Sequence, residues 1–164
     1  ELHLETGGVA LVDPEDYVWL SQHKWYLRRD GYASIGGKRK LYSSSLMHRI
    51  ILEKSGVSIK GMYVDHANYN KLDNRKSNIR ACTPCENAYH RERHKKNKTG
   101  YIGVMWSKGY QRYTVKIRYN KREIYIGSFK DILDAARAYN RAAIKYHGEF
   151  AVINELPTDT NGGQ

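Results

Sequence analysis

Apolar and polar positions along this chain switch between a period of two and a period of three to four, and the switches predict its elements. Residues 8–12 form a short apolar run, stopped by Asp13 and Pro14, that reads as a strand. Glu15 to Ser21 predicts one or two helical turns. Residues 24–34 and 39–46 alternate aromatic or apolar with basic or small polar side chains, which predicts two arms of a hairpin around Gly36 and Gly37. His48 to Leu52 predicts a short helix, and Gly56 and Gly61 bracket the link to a strand carrying Val64, Asp65 and His66. An Asn-rich polar loop follows, then a short strand-like segment at Asn78, Ile79 and Arg80. Thr83, Pro84 and Glu86 make a helix start: Thr83 can cap, Pro84 suits the first helical position, and Glu86 completes a capping box. That helix is predicted from Pro84 to about Lys95, with Asn87, His90, Arg91 and His94 on one face.

The pattern changes after Thr99 and Gly100, which marks a domain boundary. Three strands are predicted, at Tyr101 to Ser107, Arg112 to Tyr119 and Glu123 to Phe129, with turn signals at Lys108-Gly109 and Asn120-Lys121. In Asp131 to Tyr146 the residues Ile132, Ala135, Ala136, Tyr139, Ala142, Ala143 and Tyr146 recur at three and four, a helix whose small Ala side chains let it lie close to a sheet. Gly148 ends it, and residues 155–164 are expected to be a disordered polar tail.

Charge narrows the partners. The chain has 164 residues, a formal net charge of +11 and a pI near 9.6, and a basic chain of this size fits a polyanion. A membrane is the weaker fit, because no apolar run approaches the roughly 18 residues that a spanning helix needs. No signal-peptide pattern opens the sequence, which begins at Glu1, and a cytoplasmic, reducing setting is expected. The run from Arg91 to Lys98 is strongly basic and suits phosphate contact. Fourteen Tyr against two Phe suit half-exposed sheet surfaces and can also stack on bases.

Candidate chemistry concentrates between Tyr63 and His90. Asp65, His66, Asn78 and Asn87 bring a carboxylate, an imidazole and carboxamides into one short segment. Oxygen donors hold a hard divalent cation, and a neutral His removes a proton from water. That combination points to metal-assisted phosphodiester hydrolysis. Asn68, Asn70 and Asn74 read first as turn formers that shape the loop.

Val64-Asp65-His66, the loop Asn68, Asn70, Leu72-Asp73-Asn74-Arg75, the segment Ser77-Asn78-Ile79-Arg80 and the helical Asn87, with His48-Arg49 upstream, resemble the HNH endonucleases, particularly the compact phage and intron homing type. The resemblance implies a ββα-metal core, Asp65 and Asn87 as metal ligands, His66 as general base, and Asn78 orienting His66 or its loop. Asn87 stands where many members have a third His, which favours Mg²⁺ or Mn²⁺ over Zn²⁺. It also implies cleavage to 5′-phosphate and 3′-hydroxyl ends.

Tyr101-Ile102-Gly103-Val104, Tyr113 to Arg118, Tyr125 to Phe129 and the Ala135 to Ala143 pattern are similar to the plant ethylene-response (APETALA-like) DNA-binding domain. This second resemblance implies a three-stranded antiparallel sheet backed by one helix, with the outer face of the sheet in the major groove. Trp106, Arg112, Lys116, Arg118, Arg122 and Tyr125 are its DNA-facing candidates. Met105 stands where the plant pattern has Arg, and Tyr113 where it has Trp, so the base-reading code does not transfer.

Cys82 and Cys85 followed by His90 and His94 have zinc-like spacing, but Asn87 lies between them and Cys82 reads as a small apolar strand residue, so structural zinc is not the expectation. The combined reading is α+β: a ββα-metal nuclease core with an N-terminal β-hairpin over residues 1–98, then a three-stranded antiparallel sheet packed on one helix over 99–154. It predicts a monomeric, site-specific nuclease of phage or mobile-element type that nicks double-stranded DNA. Arg28, Arg29, Lys38, Arg39, Lys40, Arg75, His90 and Arg91 are its further DNA contacts. The alternatives are a DNA-binding regulator with an inactive nuclease module, or a zinc-stabilised RNA-binding protein.

Overall fold

Short apolar segments at the start of the chain cannot bury themselves alone, and they meet in a shared core. In the computed structural model, which describes residues 1–36, 44–90 and 98–157, β1 (Leu2–His3) pairs antiparallel with β2 (Val9–Ala10). Asp13 and Pro14 stop β2 and start α1 (Pro14–Leu20). β3 (Trp25–Leu27) pairs with β4 (Ala33–Ile35), and α2 (Met47–Lys54) follows. β5 (Tyr63–His66) pairs antiparallel with β6 (Ile79–Cys82), which leads into α3 (Pro84–Tyr89). Leu2, Leu4, Ala10, Leu20, Trp25, Met47, Ile50 and Ile51 form the buried core of this region. The Trp25 indole also donates to the Leu20 carbonyl at 2.8 Å.

A hairpin turn lies at Arg28 to Tyr32, inside the segment expected as one arm, and joins β3 to β4. Asp30-Gly31 supplies the turn: Gly31 has φ +86° and its N–H bonds the Arg28 carbonyl at 3.0 Å. A bridge from Ser34 to Leu46, with Ile35 N–H on the Ser45 carbonyl at 2.8 Å, is what the described residues show of the expected second arm. Lys38, Arg39 and Lys40 lie outside the described residues.

The capping box at α3 forms as predicted. Glu86 N–H donates to Thr83 Oγ1 at 3.2 Å, and Thr83 N–H donates to Glu86 Oε2 at 2.7 Å. The helix is shorter than predicted, ending at Tyr89. His90 therefore follows the helix instead of sharing the face of Asn87. Arg91 and His94 lie outside the described residues.

The chain divides into two compact units, Glu1–Asn87 and Ala88–Gln164. In the second, β7 (Val104–Ser107), β8 (Arg112–Tyr119) and β9 (Arg122–Phe129) form an antiparallel sheet in that order. α4 (Ile132–His147) packs on it through Ala135, Ala136, Tyr139, Ala142 and Ala143, against Val104, Val115 and Ile117. Asp131 caps α4, accepting from Leu133 and Asp134 N–H at 2.7 and 2.9 Å. Gly103 lets the chain pass closely: its φ is +71°, and a Cβ there would run into the Tyr139 ring and the Lys116 carbonyl, 2.8 Å away. Asn154 closes the unit. Its side chain pairs with Ile102 N–H and C=O at 2.6 and 3.2 Å, and its backbone pairs with the Asn140 carboxamide at 2.7 and 2.8 Å. With helices and separate antiparallel sheets, the class is α+β. Among the described residues no helix is long and apolar enough to cross a membrane.

Candidate active site

The β5–β6 register sets the site. Asp65 lies opposite Arg80 and His66 opposite Ile79, at the end of β5 where the Asn-rich loop begins. Asp65 is 8% exposed, and Arg80 Nε and Nη2 both donate to its Oδ2, at 3.0 and 2.8 Å. A charge-assisted pair of this kind fixes the carboxylate in place.

The loop after His66 is tied by its own side chains. Asn78 Oδ1 accepts from Asn68 N–H at 3.0 Å, and Asn78 Nδ2 donates to the Asp73 carbonyl at 2.7 Å. Asp73 accepts the Arg75 fork at 2.8 and 2.7 Å and the Asn68 carboxamide at 2.9 Å. Asn68 and Asn70 each accept from the N–H two residues on, at 2.9 and 3.1 Å. Asn74 N–H donates to the Leu11 carbonyl at 2.8 Å, and its Nδ2 to the Leu72 carbonyl at 3.0 Å. Asn78 thus engages the loop backbone with both ends of its carboxamide. Arg75 is committed to Asp73.

His66 is 5% exposed and sits in a nest of rings. The His48 ring lies 5.0 Å away, edge-on at 85°, and the Tyr32 ring 5.8 Å away at 44°. Tyr32 and His48 also touch, at 5.0 Å, and Lys71 Nζ caps the Tyr32 ring at 4.8 Å. Burial pushes the His66 pKa down, and Lys71 acts the same way; the Asn74 carboxamide, Asp65 and Asp73 oppose it. A lowered pKa keeps the imidazole neutral near pH 7, the form that accepts a proton. Burial, with His66 and Arg49 in the same direction, pushes His48 down to about 3, against a weaker pull from Asp30.

His48 predicts acid sensitivity. Unfolded, it titrates near 6.5, so below that pH the unfolded chain binds a proton that the folded chain refuses. Stability is fully present above about pH 6.5 and falls as pH drops from there toward 3, by up to roughly 4–5 kcal/mol. Urea melts at pH 7, 5 and 4 test this, with His48→Phe expected to flatten the dependence. Equal acid sensitivity in that variant would assign the effect elsewhere.

Asn87 is half-buried in α3, and its N–H bonds the Thr83 carbonyl at 3.0 Å. Cys82 is buried in β6 and Cys85 is half-buried; both are free thiols. Arg28 forks onto Asp30 at 3.1 and 3.0 Å at the hairpin tip, beside exposed Arg29.

In the second unit, alternation along β8 puts Arg112, Thr114, Lys116 and Arg118 on the sheet face away from α4. Tyr125 faces Lys116 across the β8–β9 ladder and is 60% exposed. Met105, paired with Thr114, joins this face. Trp106 alternates to the face of Val104 and packs on Tyr113 at 4.8 Å, and Arg122 pairs with inward Tyr119. Lys116 is bound to Glu123 at 3.0 Å.

The sequence reading missed Tyr32, His48, Asn74 and Arg80 as neighbours of the Asp-His pair. Arg80 was within reach of a register argument, since a hairpin pairing Val64 with Ala81 places Arg80 opposite Asp65. Tyr32 arrives from a distant segment and carries no local signal, and His48 is marked in the sequence only as part of the His48-Arg49 lead-in.

A buried Asp-His pair at a strand end, braced by an Asn loop and followed by a capped helix, is an arrangement suited to hydrolysis. Residues 45–89 match the family described as HNH endonuclease. The chain is 31% identical over 150 residues to an uncharacterized HNH endonuclease of Acanthamoeba polyphaga mimivirus, covering 92% of this chain and 76% of that one. It is 27% identical over 114 residues to Protein 3.8 of Escherichia phage T7, covering 69% of this chain and 93% of that one. A 41-residue stretch is 49% identical to APETALA2-like protein 2 of Oryza sativa subsp. indica, covering 25% of this chain and 9% of that protein. The protein is a hydrolytic nuclease acting on DNA. It belongs to the HNH endonuclease family.

Proposed function

We propose that this chain is a monomeric, site-specific nicking endonuclease of homing type, built from a ββα-metal nuclease core and an ethylene-response-type DNA-binding domain. The observation that carries the catalytic half is the buried imidazole of His66, next in β5 to Asp65, whose carboxylate Arg80 holds. The outward cations of β8, and the short similarity to the rice APETALA2-like protein, support the second half. The phage relative supports a phage or mobile-element protein working in the bacterial cytoplasm.

The donor set fits a hard divalent cation, Mg²⁺ or Mn²⁺. Asp65 offers a carboxylate oxygen and Asn87 a carboxamide oxygen, and neither is a soft ligand. When bound, such an ion stabilises negative charge on the phosphodiester and its leaving 3′ oxygen. His66 takes a proton from the attacking water, whose oxygen forms the new bond to phosphorus as the bond to the 3′ oxygen breaks. Asn78 and Asp73 hold the loop that follows His66, and Arg80 holds Asp65. Arg28 and Arg29 at the hairpin tip suit phosphate contact. One such site per chain cuts one strand.

Incubation with supercoiled plasmid tests this reading. Nicked circles are expected with Mg²⁺ or Mn²⁺ and none with EDTA. Cutting that survives EDTA would remove the metal, and no cutting with either ion would leave a DNA-binding protein with an inactive core.

The targeting role predicts a separate result. With EDTA present, duplex binding by the full chain should fall linearly in log affinity against log salt. Arg118→Ala should weaken the preferred site by about 1–3 kcal/mol if Arg118 reads a base. Equal loss on every sequence would make it a phosphate contact, and no loss would take it out of the interface. Lys116 should matter less, because Glu123 already neutralises it.

A further inference from the structure

We propose that Asn74, with His48 and Tyr32, is the positioning apparatus of His66: Asn74 Oδ1 accepts from His66 Nε2–H, and the two rings fix the plane of the imidazole. The inference rests on His66 acting as the base, and it assigns the orienting role to residues other than Asn78.

Three buried atoms, His66 Nε2, His48 Nδ1 and Asn74 Oδ1, make no hydrogen bond of good geometry. The two ring nitrogens can each carry a proton or accept one; Asn74 Oδ1 can only accept, with two lone pairs. Buried polar atoms are nearly always satisfied, so Asn74 Oδ1 calls for a ring N–H. Asn74 is 0% exposed and cannot turn away. Its N–H is held by the Leu11 carbonyl and its Nδ2 by the Leu72 carbonyl, which leaves Oδ1 as the end still to be used. The Asn74 carboxamide also favours the protonated imidazole, the effect of an acceptor facing a ring N–H.

Asn78, the other candidate, is already engaged at both ends of its carboxamide by Asn68 N–H and the Asp73 carbonyl. It shapes the loop. The rings supply what one hydrogen bond cannot. His48 meets His66 edge-on at 5.0 Å and Tyr32 lies at 5.8 Å, so rotation of the imidazole about its Cβ–Cγ bond runs into one or the other. Tyr32 is itself fixed, because Lys71 caps its ring and donates to the Asp30 carbonyl at 2.9 Å. With Nε2 carrying the proton, Nδ1 is the nitrogen left with a lone pair for water.

Nitrogen-15 spectroscopy of histidine-labelled full-length protein tests this, with the His66 signals assigned by loss in His66→Ala. Neutral His66 is expected to be protonated at Nε2. Asn74→Asp keeps an acceptor oxygen in the same place and should keep that tautomer. Asn74→Leu should mix the tautomers and lower the single-turnover nicking rate about 10–100-fold, with DNA affinity unchanged. His48→Phe keeps a ring and should retain more of the rate than His48→Ala. A His66 protonated at Nδ1 in the wild-type protein overturns the proposal, as does a folded Asn74→Leu with the wild-type tautomer. The wild-type measurement decides even if Asn74→Leu fails to fold. Because the tautomer is read without DNA or metal, a chain that shows it and yet does not cut would leave this assignment standing and overturn the nuclease mechanism instead.

Discussion

His66→Ala is expected to lower the single-turnover nicking rate by roughly 10²–10⁴ while leaving duplex binding within a few-fold of wild type. The substitution leaves Asp65, Arg80 and Asn87 in place and removes only the group that takes the proton from water. The imidazole is nearly buried, so its loss also opens space between His48 and Tyr32. That costs some stability through lost packing. The rate must therefore be compared at a temperature where both proteins are folded, with thermal melts as the control. His66→Gln fills more of the space and should be as inactive as His66→Ala. A folded variant that cuts at the wild-type rate would take His66 out of the base role and direct attention to another acceptor near Asp65.

How far the site could be read in advance depended on how local each feature is. The Thr83 to Glu86 capping box is complete within four residues, and both of its hydrogen bonds are present. The α4 pattern is equally local: one helix face of small residues lies on one sheet, so Ala135, Ala136, Ala142 and Ala143 are buried as the periodicity predicts. The nuclease region was legible as a motif but not as a network. Asn68, Asn70, Asn74 and Asn78 are one residue type in one loop, and only their partners separate the turn former from the acceptor facing a ring. Asn68 and Asn70 bond two residues on, Asn78 spans the loop, and Asn74 reaches back to Leu11. The Asp30-Gly31 turn was missed inside the segment read as one arm, whereas the Ser34–Leu46 bridge keeps part of the expected pairing with the second arm.

Asp65→Asn is expected to remove most cleavage, by about 10²–10³ or more, while DNA binding holds or improves slightly. The isosteric change keeps the volume at the end of β5 but removes the charge that a divalent cation needs; loss of a metal-held transition-state charge is worth several kcal/mol. Asn is preferable to Ala here, because Ala would leave Arg80 without the carboxylate oxygen it bonds twice. Breaking a largely buried charge pair costs stability in its own right, whereas the carboxamide oxygen of the substituted side chain can still accept from the guanidinium. DNA affinity should not suffer, because a carboxylate near the phosphates repels them and its removal only relieves that repulsion. Calorimetric titration with Mn²⁺ separates the two consequences: Asp65→Asn should bind the ion far more weakly while its melting temperature stays close to wild type. Asn87→Ala, which removes a neutral donor, should lose less and recover part of its rate when Mn²⁺ replaces Mg²⁺. If Asp65→Asn loses DNA binding and cleavage together, the Asp65–Arg80 pair is holding the fold of the β5–β6 hairpin, and the metal must be sought on other oxygens.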